Sequence, residues 1–199
     1  MAMRVGAART RKEKAADAAI EVIAENGLRG LTHRAVDVRA GLPDGSTSSC
    51  FRTRLALQCG VLDRMVEQQE EMLARWPAVS WRADTPAERE AAVEAVTDLL
   101  EWLLGEARAQ TQVRLEMYLD AVRRSELHPY MEKASCRYLD FAVESLRAGG
   151  VPDAEHRGRL ILAQLDGILF DALSRPFWGE ADRDWLRLAA DACLTGIGV

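Results

Sequence analysis

Five short side chains stand in a row, Gly45, Ser46, Thr47, Ser48 and Ser49, and Cys50-Phe51, Arg52 and Arg54 follow them. Hydroxyls can both donate to and accept from base edges and phosphate oxygens, and arginines supply the charge that phosphates attract. A helix built of such small groups can approach a groove floor closely. Little else in the chain has the spacing of a chemical site. The three histidines, His33, His128 and His156, lie far apart, and the four cysteines (Cys50, Cys59, Cys136, Cys193) form no CxxC or Cys/His ligand pattern. Neither a metal nor a cofactor is expected. A helical-bundle enzyme is one alternative, but the chain has no Gly-rich phosphate loop, no Glu-x-x-His pair and no GxSxG to support it.

The elements that must position those residues are all helical in period. Residues 9–26 read as a first helix with an apolar stripe at Ala16, Ala19, Ile20 and Ile23, closed by Asn26-Gly27. Thr32 is a good N-cap for a short second helix ending near Ala40. Gly41 makes a turn, and Pro43 suits the first turn of a third helix running to about Phe51. A fourth helix from Arg54 to Trp76 has Leu55, Leu62, Met65, Val66, Gln69, Met72 and Leu73 on its inner face, and Pro77 ends it. Trp76 to Pro86 reads as a loop. Helices follow over about 87–106, 108–125, 128–148, 154–174 and 182–195. The expected fold is therefore all-α with nine helices. Residues 1–55 form a three-helix head, and residues 56–199 form a larger helical body joined to it rigidly through the fourth helix.

Charge separates along the same line. Residues 1–55 hold ten Lys/Arg against six Asp/Glu, a net +4, while residues 56–199 hold sixteen against twenty-five, a net −9. A basic end on an acidic body implies that the first part meets a polyanion. No apolar run approaches the roughly 20 residues of a membrane span, so a soluble, cytoplasmic protein with no membrane partner is expected.

Helices two and three, joined through Gly41, form a helix-turn-helix, in which the second helix enters the DNA major groove. The ordered set Glu25-Asn26-Gly27, Leu31-Thr32, Ala40-Gly41, Gly45-Ser46-Thr47, Phe51 and Arg54-Leu55 resembles the TetR family of bacterial regulators over about 55 residues. Ser48 stands where that family often has a phosphate-gripping tyrosine, and Asp44 adds a negative charge beside the expected phosphates. The DNA-contacting residues expected are Arg9, Arg11, Thr32, His33, Arg34, Gly45, Ser46, Thr47, Ser48, Ser49, Arg52 and Arg54, with Arg4 and Lys12 as further groups of the N-terminal arm. Phe51 is expected to anchor the third helix on Ala35, Val36 and Ala40.

The resemblance implies that the body holds a small-molecule pocket and a dimer face. An apolar and aromatic lining with a few polar groups suits such a pocket. Trp102, Leu103, Arg114, Met117, Tyr118, Tyr138, Phe141, Gln164 and Asp171 are the candidates, Arg114 being otherwise an ion-pair partner of Glu116 or Asp120. Leu162, Leu165, Leu169 and Leu173, with Gly167 among them, and Trp185, Leu188, Ala189 and Ala192 mark the dimer face. Two copies would form a four-helix bundle. Two such heads over a palindrome would sit about 34–36 Å apart. The expected function is a ligand-responsive transcriptional regulator, a repressor that binds an operator in double-stranded DNA as a homodimer and is released by a small-molecule effector. The alternative is a helical dimeric interaction module whose head no longer reads DNA.

Overall fold

The computed structural model describes residues 9–73 and 85–199, with the side chains of 69–73 excepted. Arg4, the Trp76-Pro77 stop and the side chains of Gln69, Met72 and Leu73 lie outside the described residues. Within them are nine α-helices and no strand: α1 Arg11–Gly30, α2 His33–Ala40, α3 Ser46–Cys50, α4 Arg54–Leu73, α5 Pro86–Leu104, α6 Arg108–Ala121, α7 His128–Ala148, α8 Ala154–Ser174 and α9 Arg183–Gly196. The nine-helix, all-α expectation holds.

Capping explains the boundaries. Thr10 closes a capping box with Glu13 at the start of α1, and Thr85 does the same with Glu88 at the start of α5. The Thr32 hydroxyl accepts the Ala35 N–H at 3.1 Å and opens α2 as expected. Thr53 opens α4 by accepting the Ala56 N–H at 3.0 Å. The helical bonding of α1 runs past the expected stop to Gly30, but Gly27 (φ 65°, ψ 176°) kinks it where the sequence placed its end. α3 departs most. It starts at Ser46, so Pro43 lies in the preceding turn and not in the first helical turn.

Two apolar cores support the molecule. The first joins α1, α2, Phe51 and α4 to Val113, Met117 and Ala121 of α6 and to Leu127 and Met131. It therefore runs past residue 55 into the body. The second joins α5, the C-terminal half of α7, α8 and α9. Phe51 is buried as the anchor of the head and packs with Val36, Ala35 and Ala40. Its ring also lies close against Gly60, where an added Cβ would meet Phe51 Cε1 at 2.2 Å and Cζ at 2.6 Å. A glycine on α4 is what allows that approach.

Candidate DNA interface and ligand cavity

At the head, α3 is too short to satisfy its own first turn, and its N-cap Gly45 (φ 85°) offers no side chain. Asp37 of α2 does the capping. Its carboxylate, 2% exposed, accepts the Gly45 N–H at 2.8 Å, the Thr47 N–H at 2.7 Å and the Thr47 hydroxyl at 2.6 Å. Burial pushes this carboxyl up, but the hydrogen bonds from Thr47 and Gly45 outweigh it and hold it below the usual carboxylate range. Asp37 was not among the sequence candidates. The signal available was an acidic residue two turns ahead of a helix with no capping side chain.

This arrangement corrects part of the expected DNA surface. Ser46 and Thr47 do not face solvent; both are buried, Thr47 completely, because its hydroxyl belongs to Asp37. Ser48 and Ser49 are exposed, and each hydroxyl donates to the Gly45 carbonyl at 2.9 Å. His33 donates from Nε2 to the Phe51 carbonyl at 2.6 Å, pinning the end of α3 to the start of α2. The Arg54 guanidinium donates to the Leu31 carbonyl at 2.9 Å and to the Leu28 carbonyl. It ties the α1–α2 turn to α4, while the residue itself stays exposed. Arg11, Arg34 and Arg52 are exposed and form no ion pair among the described residues. Arg9 pairs with Asp17 at 3.1 Å yet stays 65% exposed, and Lys12 sits 5.7 Å over the Phe51 ring. Thr32 and Gly45 are exposed beside them. Of the expected DNA contacts, the head thus exposes Arg9, Arg11, Arg34 and Arg52 with Ser48 and Ser49.

In the body, α5 to α8 enclose a cavity of about 440 Å³. Arg114, Tyr118, Tyr138 and Phe141 line it, as does Leu103. Four other expected residues do not. Met117 is fully buried in the first core. Trp102 is half-buried away from the cavity wall. Gln164 lies against Gly196 of α9, and Asp171 pairs with Arg175 at 2.6 Å. The residue the sequence reading missed is Asp166, which accepts from Arg114 Nη1 at 2.6 Å. Arg114 was expected to pair with Glu116 or Asp120 if it paired at all; it reaches across to α8 instead. Burial pulls the guanidinium down, and Asp166 and the two tyrosines reverse that, so it stays charged. Burial likewise pushes the Tyr138 phenol up, only partly offset by Arg114.

Cavity and head meet on α6. Glu116, two residues from Arg114, accepts the Leu28 N–H of α1 at 2.9 Å. One turn on, Asp120 accepts from Gln58 of α4 at 3.2 Å and from Arg124 at 3.2 Å, while Arg124 donates to Gln58 at 2.7 Å.

The dimer stripe on α8 is corrected in part. Leu162, Leu165 and Leu169 face the cavity, with Leu165 and Leu169 buried, and Leu173 is half-buried. The outward face carries Leu160, Gly167 and Phe170, and Trp185, Leu188 and Ala192 of α9 are exposed. Phe177 and Trp178, in the link between the two helices, are 76% and 70% exposed.

The family model described as "Tetracyclin repressor-like, C-terminal domain" matches residues 87–197. The chain belongs to the TetR family of transcriptional regulators. Solved TetR-like structures extend the likeness over the head as well. A transcriptional regulator from Rhodococcus sp. Rha1 is 28% identical with a TM-score of 0.76, over 94% of this chain and 96% of its own. A TetR-family member from Streptomyces coelicolor A3 is 27% identical with a TM-score of 0.69, over 93% and 98%. The multidrug binding protein EbrR complexed with ethidium is 26% identical with a TM-score of 0.67, over 94% and 99%. No curated protein matches the chain. For a TetR-family member, then, the cavity between α5 and α8 lies in the part of the chain that the family model matches. Among the described residues no helix is long and apolar enough to cross a membrane.

Proposed function

We propose that this TetR-family regulator is a repressor that binds a palindromic operator as a homodimer and leaves it when a small molecule fills the α5–α8 cavity. One observation carries the reading: α6 lines the cavity with Arg114 and Tyr118 and, through Glu116, grips the head at Leu28. A shift of α6 on ligand binding therefore moves the head directly, and couplings of this kind are typically about 1–3 kcal/mol. This route differs from one carried by α4 alone.

Three further features support it. Arg9, Arg11, Arg34 and Arg52 with Ser48 and Ser49 give the head a surface suited to phosphates and base edges. The exposed apolar face of α8 and α9 suits a second copy. EbrR, similar over nearly the whole chain, is complexed with ethidium, proflavin and malachite green. The deciding experiment is a mobility-shift titration of the full chain against DNA from its own promoter region, with sedimentation in parallel. Retardation by a dimer supports the reading; a monomer at micromolar concentration, or no retardation, overturns it.

A further inference from the structure

The cavity lining is mostly apolar and includes one salt-bridged pair, Arg114–Asp166, whose geometry selects among ligands. Arg114 is the inner charge: its side chain is 13% exposed against 37% for Asp166. A guanidinium has five N–H donors. Asp166 takes one, and Arg114 has no other hydrogen-bond partner among the described residues. The guanidinium also lies over the rings of Tyr118, at 5.7 Å, and Tyr138, at 5.5 Å. Those ring faces would otherwise host a guest cation. Here the protein's own cation covers them, and a cationic guest would be driven against it. The other charged groups of the lining, Glu132 and Arg159, are exposed and of opposite sign, so they add no net charge.

We propose that the cavity takes an amphipathic ligand with an apolar body and one anionic head, a carboxylate or its equivalent, and that this head binds Arg114 in place of Asp166. The assignment rests on the reading of this cavity as the effector site. The apolar body lies along Val96, Leu99, Leu165 and Leu169. The head offers two acceptor oxygens, so it takes the Nη1 donor that Asp166 holds together with one that Asp166 leaves unused, and a bidentate pair is the stronger geometry for a guanidinium. Asp166, already more than a third exposed, turns to water. The Arg114–Asp166 pair is the ion pair joining α6 to α8 among the described residues, so its exchange for a ligand releases α6 from α8. Two residues along the same helix, Glu116 holds Leu28 of the head. Anion binding and head position thus share one helix.

The test is calorimetric titration of the full chain, without DNA, using octanoate, decanoate and dodecanoate. Decan-1-ol and decyltrimethylammonium are the neutral and cationic counterparts. At least one carboxylate is expected to bind, with the alcohol about tenfold weaker or worse and the ammonium weaker still, since a hydrogen bond to a charged group is worth about that factor. Arg114→Gln should weaken carboxylate binding by tenfold or more. Asp166→Asn, which removes the internal competitor, should leave it unchanged or tighten it, and this arm stands if the Arg114 variant does not fold. The proposal is overturned if no carboxylate binds the wild-type chain, if the ammonium binds as tightly as decanoate, or if Asp166→Asn weakens the carboxylate. A chain that binds decanoate but retards no promoter DNA sinks the repressor reading alone. One that retards DNA and ignores every carboxylate sinks only the anionic ligand.

Discussion

The Thr47 hydroxyl donates to the buried carboxylate of Asp37 at 2.6 Å, and this bond decides which way α3 faces. A five-residue helix cannot hold its own orientation, since its first amides have no intrahelical partners. With Thr47 and Gly45 bound to Asp37, the inward side of α3 is set, and Ser48 and Ser49 are left outside.

Replacing Thr47 by Val keeps the shape and removes the donor to Asp37. It should destabilise the head by about 1–3 kcal/mol, the range for a buried acceptor that loses a partner, and Asp37→Ala should do at least as much. Ser48→Ala, on the exposed side, should leave the melting temperature within a degree or two while changing operator affinity. Because Asp37 has a folded-state pKa below its unfolded value of about 3.9, its contribution is present above that pH and lost as pH falls through the folded value. Thermal melts from pH 6 to pH 3 should show an acid loss that is smaller in Asp37→Asn. Equal acid sensitivity in the two chains would rule out this role.

Arg52 and Arg54, two residues apart, should fail in different ways. Arg52 is exposed and forms no ion pair among the described residues, so Arg52→Ala should leave folding intact and reduce the salt slope of operator binding by about 0.9 per protomer, about 1.8 for the dimer. Arg54 holds the Leu28 and Leu31 carbonyls, so Arg54→Ala should lower the melting temperature and leave the slope of the surviving folded fraction unchanged. Operator titrations at several salt concentrations, alongside melts, separate the two. A lower slope for Arg54→Ala with no change in stability would make it a phosphate ligand after all.

Leu188 on α9 is 68% exposed, so Leu188→Glu should cost the isolated chain little. In a dimer packed through α8 and α9, the same change puts a charge into an apolar seam. Dissociation should rise by at least tenfold in sedimentation equilibrium, with no fall in helicity. Leu165→Glu should behave differently. That residue is 9% exposed between the second core and the cavity, so the whole fold should suffer. An unchanged dimer in Leu188→Glu would place the interface elsewhere.

These contrasts also show what a sequence can carry. α7 and α8 match the expected bounds of 128–148 and 154–174 because their ends are local events: Pro129 at the start of α7, Gly149-Gly150 after it, and Pro176 beyond α8. α3 was misplaced because its cap is not local; it comes from Asp37, eight residues before Gly45. The leucines of α8 suit an interface in the sequence because an apolar stripe looks the same whether it faces a second chain or a cavity in its own. Leu165 and Leu169 face the cavity, and only the third dimension separates the two cases. For the same reason Arg114 is legible as a pocket group or a member of an ion pair, but its partner 52 residues away is not.

Glu116 offers the sharpest test of how cavity and head communicate. It lies on α6 beside the cavity residues and accepts the Leu28 N–H just past the kink at Gly27. Glu116→Ala removes that link without touching the cavity wall or the exposed arginines. Ligand binding to the isolated protein should change less than twofold, and the head should lose about 1 kcal/mol of stability, the usual net worth of one such hydrogen bond. Ligand-driven release from the operator should weaken by fivefold or more, the lower end of an allosteric coupling. Operator titrations with and without effector give the coupling as a ratio, so a general loss of affinity cancels. Should the ratio be unchanged in Glu116→Ala, coupling would run through the remaining contacts of α6, either the Val113–Met117–Ala121 packing of the first core or the Gln58–Asp120–Arg124 cluster, and Gln58→Leu tests the second.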